Sequence, residues 1–454
     1  MNGDMKEDTI AAIATAPGQG GIGIVRISGP ETEKILREVF RPAGLKNADG
    51  WESHRMMYGR ITDGGEILDE CMAVLMRAPK SYTREDVAEI QSHGGTQVLK
   101  RILDTVLQHG ARLAEAGEFT RRAFMNGRID LSRAEAVMSL IQARGEQERR
   151  AAVRQMTGGA ADFVRKASDE LYLLQAGLAA CIDYPEEISD EEGAGSLREG
   201  LERLTRILRS AVDERSSRLI YDGMRVTLFG IPNAGKSSLL NALIGQEKAI
   251  VTAIPGTTRD TVEGEMTLDG IRVHLTDTAG MRDTEDPIER IGVERSERAR
   301  ENADIAMLIL DGSREMTAEE REWIGQLNPE DAVIINKSDL PQKTTEETVR
   351  GFRPGIRCMT VSALDSDSLQ PIRDHLRKNA EIGDRLAVTQ PRHLNAVKRA
   401  VGHLEDAMKT LEQYTPDMAA TDLQAAQNAL SEITGDRADE KLLDRVFSEF
   451  CVGK

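Results

Sequence analysis

Residues 225–243 read "RVTLFGIPNAGKSSLLNAL": an apolar run, a loop bounded by glycines, then leucines at helical spacing. Gly230, Gly235, Lys236 and Ser237 stand at the spacing of a phosphate loop. A strand before it and a helix after it are the context that such a loop requires. Its glycines let backbone N–H groups curl around phosphate oxygens, and the positive end of the following helix faces them. Lys236 adds a cation at the outer phosphates, and the Ser237 hydroxyl suits magnesium. Strand, glycine loop and helix keep alternating to about residue 378, the mark of a parallel α/β sheet.

Working outward, more elements appear in the order that a guanine nucleotide site needs. "LTDTAG" (275–280) ends an apolar strand, so Asp277 is expected to hold magnesium through water and the Gly280 N–H to reach the γ-phosphate. Before it, "GTTRD" (256–260) offers Thr258 to the metal. "VIINKSD" (333–339) supplies Asp339, whose carboxylate can accept the adjacent ring N–H and amino donors of guanine; adenine presents no such pair. Asn336 and Lys337 are expected to hold that loop and cover the ring, and "VSAL" (361–364) to bring backbone N–H groups to the guanine oxygen. One position departs from the common pattern. Gly280 is followed by Met281, which cannot orient an attacking water as the glutamine of many GTPases does.

On the N-terminal side, "TIAAIATA", "PGQGG" and "IGIVRIS" predict strand, glycine turn and strand, with helices at "ETEKILREVF" and at "GGTQVLKRILDTVLQHG", where Gly110 forms the cap. Residues 1–121 therefore form an α+β domain. Long helical patterns follow: Leu197, Leu201, Leu204 and Leu208 make one stripe, and Leu394, Val397, Val401, Leu404, Met408 and Leu411 another. The economical arrangement is one discontinuous all-α domain, 122–221 and 379–454, interrupted by a Ras-like α/β domain at 222–378; two separate helical domains are the alternative.

The totals agree with a multidomain folded chain. At 454 residues, 40% hydrophobic and 30% charged, it suits about two to four domains. It has no apolar run long enough to cross a membrane, and "MNGDMKEDTI" lacks the features of a signal peptide. Cys71, Cys181, Cys358 and Cys451 lie far apart, which argues against a zinc or disulfide framework and points to a reducing cytoplasm. A net charge of −17 argues against a protein that coats nucleic acid with its whole surface. The arginines of "RRAFMNGRIDLSR" (121–133) could still form a local basic face, or simply a solvated helix start.

Over nearly its full length the chain resembles the MnmE (TrmE) family of tRNA-modification GTPases. The resemblance rests on "GIPNAGKSSLLNAL", "TAIPGTTRD", "DTAGMRD…IERIGVERS" and "NKSD", together with "PGQGGIGIVRISG", "SYTREDVAEIQSHGG", "GEFTRRAFMNGRIDLSRAEA" and the final "CVGK". It implies an N-terminal folate-binding domain that dimerises, a discontinuous helical domain and an inserted Ras-like GTPase domain. It also implies GTP, magnesium and potassium as ligands, and 5-formyltetrahydrofolate or 5,10-methylenetetrahydrofolate as the one-carbon carrier. Potassium would be held by Asn233 with Thr252, Ile254 and Thr257, and magnesium by Ser237 and Thr258. The nucleotide would touch Asn233, Ala234, Gly235, Lys236, Ser237 and Ser238; Thr252, Ala253, Ile254, Pro255, Gly256, Thr257 and Thr258; Asp277, Thr278, Ala279 and Gly280; and Asn336, Lys337, Asp339, Ser362, Ala363 and Leu364.

By pattern alone Glu289 is one of several acids along 285–301; the resemblance singles it out to orient the water. Arg259, Asp260 and Arg282 would secure the switch loops or the facing domain. Folate contacts map to Arg26, Glu85, Arg128 and Lys454, each ordinary by itself: Arg26 could be a strand surface charge and Glu85 a helix cap. Position 128 is often lysine in the family, and arginine changes its geometry. Cys451 matters to tRNA modification in this family, and a terminal residue packed on the helical domain is the alternative. The implied partners are a second copy of the chain, an FAD-containing protein of the MnmG type in a heterotetramer or larger assembly, and tRNA, with no membrane. The implied work is addition of a carboxymethylaminomethyl or aminomethyl group at carbon 5 of the wobble uridine. A ribosome-assembly GTPase without modification activity, and a folate-dependent aminomethyl transferase with an attached switch, are the competing interpretations.

Overall fold

The computed structural model describes residues 8–43, 51–184, 190–245, 264–277, 303–382, 387–413 and 416–453, apart from the side chains of 190–194 and 416. The chain divides into two compact units. One holds residues 1–138, 155–197 and 406–454, and the other holds 139–154 and 198–405.

In the first unit the glycine-punctuated start folds into antiparallel β1 (Ile10–Ile13) and β2 (Gly20–Ser28), with Ile10 opposite Ser28 and Ala12 opposite Arg26. With β3 (Phe40–Pro42), β4 (Met56–Asp63), β5 (Glu66–Met76), β6 (Val87–Gly94) and β7 (Arg112–Leu113) they form a seven-stranded sheet ordered β3-β4-β5-β6-β2-β1-β7. Alternate side chains point to opposite faces of a strand, so the sheet buries two different cores. Val25, Ile27, Leu75 and Ile90 pack with Leu36 of α1 (Thr32–Val39) and with Leu99, Ile102 and Val106 of α2 (Thr96–Gln108). Gly110, just past α2, has φ +113°. On the other face Ile10 and Ala12 pack with Phe119 of α3 (Glu118–Met125), and Tyr82 lies against them. The strand register sets Arg26 and Ser28 on that second face.

Helices from before and after the α/β region meet in this unit. α6 (Gly159–Asp183) packs along the helix Pro416–Thr434. Phe447 and Phe450 close over Leu131 and Ala134, which lie at the start of α4 (Leu131–Gln142). Phe447 stacks against Phe124 and Phe450 at ring separations of 6.2 and 5.7 Å.

In the second unit β8 (Met224–Phe229), β9 (Gly264–Leu268), β10 (Ile271–Asp277), β11 (Ile305–Asp311), β12 (Ala332–Asn336) and β13 (Arg357–Thr360) form a six-stranded sheet ordered β13-β12-β11-β8-β10-β9. Only β9 pairs antiparallel. β11 and β12 are buried almost throughout, as parallel strands covered on both faces should be. From β8 the order runs one way to β10 and the other way to β11, so the carboxyl end of β8 is a topological switch point.

The leucine stripe of α7 (Asp190–Ser210) is buried. So are Leu394, Val397, Val401 and Leu404 of the helix Pro391–Gln413, whose Met408 and Leu411 are half-buried. In α8 (Glu214–Tyr221), Ser217 donates to the Thr389 carbonyl, and the Tyr221 hydroxyl lies 3.3 Å from Thr389 Oγ1. Arg215 of the same helix donates to the Asn379 carbonyl at 2.9 Å. The segments where the chain enters and leaves the α/β region are thus bonded to one another.

Candidate functional site

The loop after β8 is shaped by two positions that exclude a side chain. Gly230 has φ +147°, and a Cβ there would fall 2.4 Å from the Ile309 carbonyl oxygen. Gly235 has φ +93°, and its Cβ would meet Asn336 Nδ2 at 2.2 Å. Between them Asn233 is exposed at φ +63°, a left-handed conformation that asparagine tolerates, and Ala234 is buried. α9 (Lys236–Ile244) starts with Lys236, whose ammonium donates to the carbonyls of Gly230 at 3.0 Å and Ile231 at 2.9 Å. Ser237 Oγ donates to Asp277 Oδ2 at 2.6 Å, and Ser238 follows, exposed. Asp277 is the buried last residue of β10, the parallel neighbour of β8. A hydroxyl and a carboxylate oxygen are hard donors of the kind magnesium takes, and they stand at a helix N-terminus that favours phosphate. These residues fit a nucleotide with its magnesium.

The far wall is built on β12. Buried Asn336 donates to the Ala234 carbonyl at 3.0 Å, and its Oδ1 accepts the Ala363 N–H at 3.1 Å. One amide therefore ties the phosphate loop to the segment after β13. Lys337 turns at φ +64° and pairs with Asp311 Oδ2 at 2.6 Å. Burial pushes the Asp311 carboxyl up, but hydrogen bonds from Lys337 and Ser313 and the Lys337 charge outweigh it and hold Asp311 below its ordinary value. Asp339 is exposed, and its Oδ1 accepts the Ser362 hydroxyl at 2.6 Å. Leu364 is 86% exposed, and its N–H donates to Ser362 Oγ at 3.2 Å.

Thr252, Ala253, Ile254, Pro255, Gly256, Thr257, Thr258, Thr278, Ala279, Gly280, Glu289 and Lys454 lie outside the described residues, as do Arg259, Asp260, Met281 and Arg282.

A second cluster occupies the Phe119 face of the first unit. The Arg26 guanidinium pairs with Glu89 at 2.8 Å and donates to the Gly453 carbonyl at 3.3 Å. It lies 5.6 Å from the Tyr82 ring, and Arg128 lies 4.6 Å from the same ring while donating to the Tyr82 carbonyl. Glu85 accepts the Ser28 hydroxyl at 2.7 Å and faces Arg122 at 3.2 Å. Two cations over one aromatic ring, with the Glu85 carboxylate three residues along the chain from Tyr82, suit a ligand with N–H donors at one end and an anionic tail at the other. The donor set fits a folate.

The chain's last residues enter this cluster. Ala116 and Val452 form a β-bridge, and the Cys451 carbonyl accepts the Gly117 N–H at 3.5 Å. Cys451 is exposed, whereas burial pushes the thiols of Cys71 and Cys358 up to about 12.

Three residues that had no assigned role in the sequence take part: Asp311, Tyr82 and Arg122, the last two lying inside "SYTREDVAEIQSHGG" and "GEFTRRAFMNGRIDLSRAEA". Asp311 stands between the apolar run of β11 and Gly312, a strand-end position that could have drawn notice; Arg122 lies within the run 121–133 and is buried, so that run is no uniform solvated face.

Residues 9–128 match the family described as the N-terminus of the GTP-binding protein TrmE, and residues 131–451 match the MnmE helical domain. The tRNA modification GTPase MnmE of Heliobacterium modesticaldum is 43% identical over 466 residues, covering 99% of this chain and 100% of that protein. The MnmE of Clostridioides difficile is 40% identical over 456 residues, covering 99% of each. Among solved structures, the G domain of the T. maritima FeoB iron transporter aligns at 24% identity and a TM-score of 0.27, covering 35% of this chain and 99% of that one. Among the described residues no helix is long and apolar enough to cross a membrane.

Proposed function

The chain belongs to the MnmE family of tRNA modification GTPases, and from that membership we propose a potassium-dependent GTP hydrolase that serves wobble-uridine modification. The observation that carries the nucleotide reading is the 2.6 Å hydrogen bond from Ser237 to Asp277 at the switch point of a parallel sheet. Lys236 neutralises the outer phosphates, and Asp339 selects guanine. Ser237 and Thr258 would hold magnesium, with Asp277 accepting the Ser237 hydroxyl. Asn233, Thr252, Ile254 and Thr257 would hold potassium, which would supply the positive charge that an arginine supplies in other GTPases. Glu289 orients the water in place of the glutamine that Met281 displaces.

In the first unit Arg26, Glu85, Arg128 and Lys454 bind a formyl- or methylene-tetrahydrofolate, and Cys451 acts near it. Two chains pair through their residues 1–121, and an FAD-containing partner joins them on tRNA in the cytoplasm. The boundaries at 121, 221 and 378 belong to the same proposal. Hydrolysis makes no bond to RNA: it drives the association and release of the α/β domains.

The test is mass analysis of wobble uridine in a strain lacking this chain. Loss of the carbon-5 aminomethyl-type group supports the reading, and intact modification would leave an assembly GTPase. Exchanging potassium for sodium at constant ionic strength should lower turnover by roughly 10³; unchanged turnover would remove the ion.

A further inference from the structure

Arg122 is only 7% exposed, and both terminal nitrogens of its guanidinium are engaged. One terminal nitrogen lies 3.2 Å from both carboxylate oxygens of Glu85 and donates to the Asp8 carbonyl at 2.9 Å. The other donates to Asp8 Oδ1 at 2.7 Å and Glu118 Oε1 at 3.0 Å. Arg112 braces the same two acids from outside, at 2.6 Å to Asp8 and 2.5 Å to Glu118. Burial pushes the Glu118 carboxyl up, yet hydrogen bonds from Arg112, the Glu115 N–H and Arg122 hold it below its ordinary value. The guanidinium is therefore fixed from behind, and Glu85 is the acid at its front.

Glu85 is held from a second side as well. The buried Ser28 hydroxyl donates to its Oε2 at 2.7 Å and touches Thr83 Oγ1 at 2.7 Å. The Glu85 side chain keeps 23% of its surface exposed, three residues along the chain from Tyr82. A glutamate on a loop turns freely about its side-chain torsions, and accepting two adjacent N–H donors needs its plane fixed before the ligand arrives.

We propose that Arg122 is a positioning residue of the folate site, which holds the Glu85 carboxylate in the plane that receives the pterin N–H donors while touching no ligand itself. This rests on the folate reading above.

The test is the affinity of the full-length chain for 5-formyltetrahydrofolate, measured by calorimetry for wild type, Arg122→Gln, Arg122→Lys, Ser28→Ala, Glu85→Gln and the Arg122→Gln/Glu85→Gln double variant. Expected are about a tenfold loss for Arg122→Gln, partial recovery with Arg122→Lys and about a threefold loss for Ser28→Ala. The loss from Arg122→Gln should vanish in the Glu85→Gln background, because residues acting through one contact are not additive. Losses that multiply, or an Arg122→Gln affinity within twofold of wild type, would overturn the positioning role and leave the folate reading standing. Wild type that binds no folate would end both. Thermal melts show whether each variant folds; if Arg122→Gln does not, Ser28→Ala decides, and wild-type affinity there overturns the proposal.

Discussion

The Asn336 side-chain amide spans from the Ala234 carbonyl at 3.0 Å to the Ala363 N–H at 3.1 Å, so the loop after β8 and the segment after β13 are tied by one buried group. Its substitution by alanine leaves both backbone partners unmatched, at about 1–3 kcal/mol each. Asn336→Ala should weaken GTP binding at least tenfold and lower the melting temperature, by calorimetry and thermal melts. An unaltered affinity would mean that the two loops hold their places independently.

On the proposed reading Asp339 would select the base by accepting hydrogen bonds from its adjacent N–H donors. In Asp339→Asn one oxygen is replaced by a donor that faces the guanine donors, which should cost about 10²-fold in GTP affinity. Xanthine, with an oxygen where guanine has its amino group, should bind the variant better than the wild type. Competition between GTP and XTP measures this; an unchanged preference would place base reading elsewhere.

Glu289→Ala should leave GTP affinity nearly intact and lower single-turnover hydrolysis by about two orders of magnitude, because orienting water is needed only after binding. Weak binding with normal turnover of the bound fraction would contradict the role.

His375 is a buried residue of the helix Gln370–Asn379, its Nε2 3.0 Å from the Glu330 carbonyl. Burial is the main cause that lowers its pKa from 6.5, with Arg357 and Lys378 adding to it and the Glu330 bond opposing it. The unfolded chain therefore takes up this proton first as acidity rises. The neutral form's stability is complete above 6.5 and is lost as pH falls from there through the lowered value of the folded chain. Melting temperatures from pH 7.5 to 5.5 should fall less in His375→Gln than in wild type. Parallel curves would show that this imidazole does not govern the acid limb.

Gly453 sits at φ +98°, and an added Cβ would lie 2.3 Å from the Ile13 carbonyl oxygen. Gly453→Ala should release the terminal segment from Arg26, weaken folate binding about tenfold and make the last residues more open to carboxypeptidase. Wild-type folate affinity would show that the contact from Arg26 is dispensable.

Much of the frame was legible because its signals are local. The apolar runs that end in Asp277 and Asn336, and the glycines at 230 and 235, mark strand ends and a phosphate loop within a few residues of chain. The leucine stripe of α7 shows its buried face by period alone. Arg122 was not legible: its acids come from Asp8, Glu85 and Glu118, and only the sheet brings Asp8 and Glu85 to it. Tyr82 gives no sign of Arg26 and Arg128 across its ring, and β7, a pair of residues, is too short to show a period.

The bonds from Ser217 and Tyr221 to Thr389 bear on the order in which the chain assembles. α6 must find the helix Pro416–Thr434 although the whole nucleotide-binding region is threaded between them. While that region is unfolded, closing so long a connection costs entropy before any helix contact repays it. Once it has folded, its two ends are already side by side and the connection behaves as a short tether. Folding of the nucleotide sheet thus shortens the loop that the helix pair has to close, and variants that slow its folding should delay that pairing.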